Sequence, residues 1–100
     1  MTFNEYQQEQ QRTYHAGRLQ GHVLGLCGEA GEVAESVKKS VYHGVDYTID
    51  QMEKELGDVL WYLTAVANDH GLTLNDIAEK NISKLRARYP EGFVKGGGIR

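Results

Sequence analysis

The stretch LQGHVLGLCGEAGEVAESVKKSVYH, residues 19–43, decides the fold. Val23, Cys27, Ala30, Ala34, Val37 and Val41 recur in it at alternating spacings of four and three, which marks one face of a long helix. Lys38 and Lys39 fall in the last turns, where cations suit the helix dipole, and Gly44 is the expected stop. A second stretch, residues 48–71, repeats the logic. Thr48 followed by Gln51 is a capping box. Ile49, Met52, Leu56, Val59, Leu60, Leu63, Val66 and Ala67 form its apolar stripe, and Gly71 ends it. Only residues 44–47 separate the two stretches, and so short a connection predicts an antiparallel helix hairpin.

Two further helices flank this hairpin. A glutamine-rich segment over about residues 3–14 precedes the His15-Ala16-Gly17 turn. A fourth helix opens on Thr73 and Asp76, carries Ile77, Ala78, Ile82, Leu85 and Tyr89 on one face, and stops at Pro90. Pro90 is the single proline in the 100 residues, so nothing before it interrupts a helix. No segment alternates like a strand. The class is therefore all-α, a four-helix protomer with one domain over residues 1–90 and a glycine-rich tail over 91–100.

Composition removes several functions. Net charge is -3, which argues against stable nucleic-acid binding. Cys27 is the only cysteine, so neither an internal disulfide nor an all-cysteine metal site is available. No apolar run approaches the ~20 residues that span a bilayer. Residues 1–8 lack a basic cap and an apolar core, so no signal peptide is expected and the expected location is the cytoplasm, the host's if the chain is phage-encoded.

Four acidic residues stand out. Glu29 and Glu32 sit on the first hairpin helix, Glu55 and Asp58 on the second, each pair spaced i, i+3 on one helix face. In an antiparallel pair, residues at one level have a constant position sum. Glu29 with Asp58 and Glu32 with Glu55 share that sum, and its midpoint falls between His43 and Gly44, where the helix should stop. All four carboxylates thus stand at one level, roughly 18 Å from the turn at ~1.5 Å per residue. Unneutralised, they would repel and raise one another's pKa. A hard divalent cation relieves this, and all-oxygen ligation suits Mg²⁺, Mn²⁺ or Ca²⁺. A di-iron bundle would want Glu-x-x-His pairs, and none occurs.

The helical wheel puts Glu29, Glu32 and Asp58 off the centre of their stripes and Glu55 at a stripe edge, so the site is expected on a flank of the hairpin. Trp61, Tyr62 and Ala65 lie off the main stripe of their helix, which gives that helix apolar bulk on more than one face. One protomer has few elements to cover it. A homo-oligomeric helical bundle is expected, a dimer first and a tetramer as the alternative, with Trp61 in an interface that encloses the metal site.

At this point the residues resemble a family. Leu24-Gly-Leu-Cys-Gly-Glu-Ala-Gly-Glu-Val-Ala-Glu35 and Glu55-Leu-Gly-Asp-Val-Leu-Trp-Tyr-Leu63 look like the MazG-type all-α nucleoside triphosphate pyrophosphohydrolases, whose motif is E-E-x-x-E, a spacer, then E-x-x-D. Asn81-Ile-Ser-Lys84-Leu-Arg-Ala-Arg88 is similar to the family's Lys-x-x-x-Arg segment. The first Glu of the motif is Gly28 here, and Glu53 faces elsewhere.

The resemblance implies hydrolysis of (deoxy)nucleoside triphosphates to monophosphate and pyrophosphate, for control of the nucleotide pool. It implies Mg²⁺, with Mn²⁺ as the alternative, on Glu29, Glu32, Glu55 and Asp58, and a general base from Glu29 or Glu32. It also implies phosphate contacts from Lys84 and Arg88. Beside them, Tyr62 is placed to stack on the base and Asn81 to hydrogen-bond the nucleotide.

The remaining residues read more plainly. His15, His22, His43 and His70 share no spacing and are expected at the surface or at caps, while Cys27 on the apolar stripe is expected to be buried. Two other functions fit the same composition. One is a catalytically silent helical module whose acids bind a structural cation or a basic partner; the other is a nucleotide or alarmone sensor without turnover. Retention of Lys84 and Arg88 beside the full acid set favours the enzyme.

Overall fold

The caps named above set the helix ends. The computed structural model describes residues 1–92, so the tail expected over 91–100 lies outside the described residues from residue 93 onward. The chain runs α1 (Phe3–Gln10), α2 (Leu19–His43), α3 (Ile49–Asp69) and α4 (Leu74–Arg88), with no strand among the described residues. Gly44 takes the left-handed conformation, φ 65° and ψ 21°, and ends α2. Thr48 and Gln51 close both bonds of the capping box of α3, at 3.1 and 2.9 Å. Thr73 Oγ1 accepts from Asp76 N at 3.1 Å to start α4, and α4 ends two residues before Pro90.

α1 is shorter than expected. A capping box of Thr2 and Glu5 opens it. Past Gln10 the chain tightens: the amides of Arg12, Thr13 and Tyr14 each reach back three residues rather than four. The helix therefore gives out before Tyr14, and the freed segment crosses the hairpin.

α2 and α3 form the central antiparallel hairpin. The direction is fixed by contacts whose positions fall in α2 as they rise in α3: Ser36 with Glu55, Gly25 with Tyr62, His22 with Asp69. α1 packs across α3 and against α4. Gln7 Nε2 donates to Asn68 Oδ1 and Leu72 O, both at 2.9 Å, while its Oε1 accepts from Leu74 N at 2.8 Å. Gln10 joins the same network through Asn68 and the Trp61 carbonyl. No helix among the described residues is long and apolar enough to cross a membrane.

The surprise is which face of α2 turns inward. His22 is buried, and Leu26, Glu29, Val33, Ser36 and Ser40 are half-buried toward α3. The apolar stripe of Val23, Cys27, Ala30, Ala34, Val37 and Val41 is exposed instead, so Cys27 is not the buried residue expected. The buried apolar residues among those described are only Ala65, Ala67 and Leu74. Leu24, Val41 and Ile49 are 71, 67 and 73% exposed. The radius of gyration, 16.2 Å, exceeds the ~13 Å of a self-contained domain of this length. A single protomer thus leaves its strongest apolar face uncovered.

His22, expected at the surface, is instead part of a buried polar cluster. Its Nδ1 lies 2.7 Å from Asp69 Oδ2, and Tyr14 OH donates to Asp69 Oδ1 at 2.6 Å. Trp61, which the sequence reading places in a subunit interface, is occupied within the protomer. Its indole N–H donates to Thr13 Oγ1 at 2.8 Å and its ring meets His22 edge-on. Burial pushes the Asp69 carboxyl up, but the Tyr14 and His22 bonds and the His22 and His70 charges outweigh this and hold it below its ordinary value.

A carboxyl held low stabilises the fold above its unfolded pKa and loses that contribution as pH falls through its folded pKa. Asp69→Asn should therefore lower the melting temperature at neutral pH by several degrees. The gap to wild type should close as the solution is acidified below the carboxylate range. Thermal melts across pH check this; a gap that widens in acid contradicts it.

Candidate active site

The hairpin brings the four acids near enough for the charges of Glu32, Asp58 and Glu55 to act on Glu29, while the direct partner of Glu55 on α2 is Ser36, one turn beyond Glu32. Glu29 lies on the α2 face that meets α3, half-buried, rather than on the flank that the helical wheel placed it on. Its Oε2 is shielded from solvent and has no hydrogen-bond partner. Its pKa is raised, first by lost hydration, then by the charge of Glu32 and a proton shared with it, then by Asp58, and least by Glu55. All three other acids therefore act on Glu29 through space.

Three of the other ten acids have basic partners: Glu35 with Lys38, Asp50 with Lys54, Asp69 with His22. None of Glu29, Glu32, Glu55 or Asp58 is in an ion pair among the described residues. Glu32 and Asp58 are exposed, and Glu29 differs from a solvated acid by its buried, unpartnered oxygen. An all-carboxylate donor set with one orphaned buried oxygen suits a hard cation. As the side chains stand, no three acidic, His or Cys groups among the described residues converge on one point. Both oxygens of Glu55 accept from Ser36 Oγ, at 2.8 and 3.0 Å.

Three residues at this level carried no signal in the sequence. Ser36 is one. Tyr6 of α1 is another: burial first, and then the negative charge of Asp58, raise its pKa, so the docking of α1 brings a phenol to the edge of the acids. Gly25 is the third. A Cβ there would run into the Tyr62 ring, so only glycine admits the ring at that point. Tyr62 is half-buried in this cradle and stands edge-on to Trp61, 5.0 Å between centroids.

The α4 residues are placed differently. Asn81 lines a shallow apolar groove with Phe3, Leu60, Leu63 and Ile77. Lys84 and Arg88 are exposed, and no hydrogen bond or ion pair among the described residues joins them to the acids. The Arg88 guanidinium rests 5.7 Å over the Tyr89 ring. A wider cleft of about 770 Å³ opens at the start of α2 beside Tyr14, Arg18 and Asp69. Its acid, Asp69, is engaged by Tyr14 and His22.

Comparison with known proteins adds to this geometry. Residues 19–93 match the model of the MazG nucleotide pyrophosphohydrolase domain. The chain is 39% identical over 81 residues to the Gene 37 protein of Mycobacterium phage L5, covering 76% of this chain and 70% of that protein. It superposes on the crystal structure of iMazG from Vibrio DAT 722 with a TM-score of 0.68 and 29% identity, covering 89% of this chain and 98% of that one.

Proposed function

Because the chain belongs to the MazG nucleotide pyrophosphohydrolase family, we propose that it hydrolyses (deoxy)nucleoside triphosphates to the monophosphate and pyrophosphate. Glu29, Glu32, Glu55 and Asp58 would hold Mg²⁺, or Mn²⁺ in its place. The observation that carries this reading is the level of four carboxylates without a basic partner, one of them with a buried orphan oxygen. The bound cation supplies charge neutralisation at the phosphates and a more acidic water.

The remaining roles belong to the chain itself. Glu29 or Glu32 accepts the proton of the attacking water. Lys84 and Arg88, spaced i, i+4 on α4, bind phosphate oxygens. Tyr62 stacks on the base from its Gly25 cradle, and Asn81 hydrogen-bonds the nucleotide.

The working unit in this reading is a homo-oligomer, a dimer first and a tetramer as the alternative. Two hairpins joined along the exposed α2 stripe make a four-helix bundle and cover the apolar surface that one protomer leaves open. Trp61, half-buried and bonded to Thr13, would border this interface rather than form its centre.

The test is incubation with a panel of nucleoside and deoxynucleoside triphosphates plus Mg²⁺, followed by product analysis. Monophosphate and pyrophosphate are expected. Diphosphate and orthophosphate would place the cleavage at the wrong bond. Cation binding without turnover on the whole panel would favour the silent module, and nucleotide binding without turnover the sensor.

A further inference from the structure

Glu55 is held by a serine, and the manner of holding carries information. Ser36 sits in α2 one turn beyond Glu32, half-buried on the face that meets α3. A serine inside a helix ordinarily bonds back to its own backbone, four residues earlier. Ser36 reaches across the hairpin instead. Its hydroxyl has one hydrogen, and that hydrogen is shared between the two Glu55 oxygens at 2.8 and 3.0 Å. The carboxylate lies across the hydroxyl, fixed in direction.

The choice of donor matters. Lys39 lines the same small pocket as Ser36 and Glu55, yet Glu55 forms no ion pair. An ammonium at this place would neutralise Glu55 and compete with any cation for it. A hydroxyl orients the carboxylate and leaves its charge available. A bifurcated bond also gives way cheaply: when one oxygen is drawn off, the hydrogen passes wholly to the other, and no donor is stranded.

We propose that Ser36 is a positioning residue for cation binding, holding Glu55 in place through its hydroxyl; this rests on the carboxylate reading above. Without the hydroxyl, the flexible Glu55 side chain is free to swing toward Lys39 or solvent. Partners of this kind are typically worth about 10- to 100-fold in metal affinity.

The experiment titrates Mn²⁺ alone into the full chain and follows the free-ion signal by electron paramagnetic resonance, with no nucleotide present. Ser36→Ala should bind Mn²⁺ about 10-fold or more weakly. Ser36→Thr, which keeps the hydroxyl, should bind within about 2-fold of wild type, and the cation-free melting temperature of both variants should stay close to wild type. In a Glu55→Gln background, Ser36→Ala should add little, because the serine acts through Glu55. Equal Mn²⁺ affinity in wild type and Ser36→Ala, failure of Ser36→Thr to rescue, or a fully additive double variant overturns the inference while leaving the carboxylate reading intact. Absence of Mn²⁺ binding in the wild type overturns both.

Discussion

Asp58→Asn and Glu32→Gln should each cut triphosphate hydrolysis by roughly 10³-fold or more and leave the helices intact. A cation at a phosphoryl centre supplies several kcal/mol of transition-state stabilisation, and each ~1.36 kcal/mol is tenfold in rate. Removing one charged ligand from a set of four forfeits much of that. The fold should tolerate the change because both residues are exposed and make no ion pair among the described residues. The amides are isosteric, and loss of one charge from four relieves repulsion, so the cation-free melting temperature should hold or rise. Turnover assays beside circular-dichroism melts measure both halves. Full activity in either variant would sink the ligand assignment; loss of activity with loss of helix would show only that the protein had unfolded.

Charge on the outer face of α2 should have the second large effect. Val37 lies on the stripe of Val23, Cys27, Ala30, Ala34 and Val41 that α3 does not cover. In the dimer reading, Val37→Glu places an unpaired carboxylate in an apolar interface, which costs several kcal/mol. At ~1.4 kcal/mol per decade, association should weaken by about 10²-fold or more. Gel filtration with light scattering should show wild type as an oligomer at micromolar concentration and Val37→Glu as a monomer. The monomer should also melt lower, since little apolar surface is buried within one chain. A monomeric wild type would refute the interface.

The helix boundaries of the hairpin and of α4 were legible because their determinants are local. Gly44, the Thr48–Gln51 box, Gly71, Thr73 and Pro90 act within a turn of where they stand, and the hairpin register follows from the short connection they leave. The facing of α2 was not legible. An apolar stripe names the face that wants cover, not the surface that covers it, and here α3 takes the more polar face of His22, Glu29 and Ser36. The end of α1 and its docking were equally hidden. Gln7 and Gln10 act through amide bonds to Asn68, Leu72 and Leu74, which leave no periodicity. His22 finds Asp69 only after the hairpin closes. Ser36 and Tyr6 become part of the candidate site by the same late proximity. That the four acids lie near one another could be read by arithmetic along two helices; that Glu55 turns to Ser36 rather than Glu32 could not.

The Tyr62 ring seated on Gly25 bears on how freely this hairpin could be re-engineered. Gly25 and Tyr62 share the position sum of the acid pairs, whereas Ser36 with Glu55 and His22 with Asp69 meet one turn further along. A Cβ at position 25 would run into the ring, so the helices take this spacing here because residue 25 is glycine. The ring and its glycine are a close steric contact between α2 and α3, one turn from Glu29 on α2 and one turn from Asp58 on α3. Redesign of the hairpin therefore has to keep position 25 free of a side chain, or give the Tyr62 ring another place, before it alters anything at the acids.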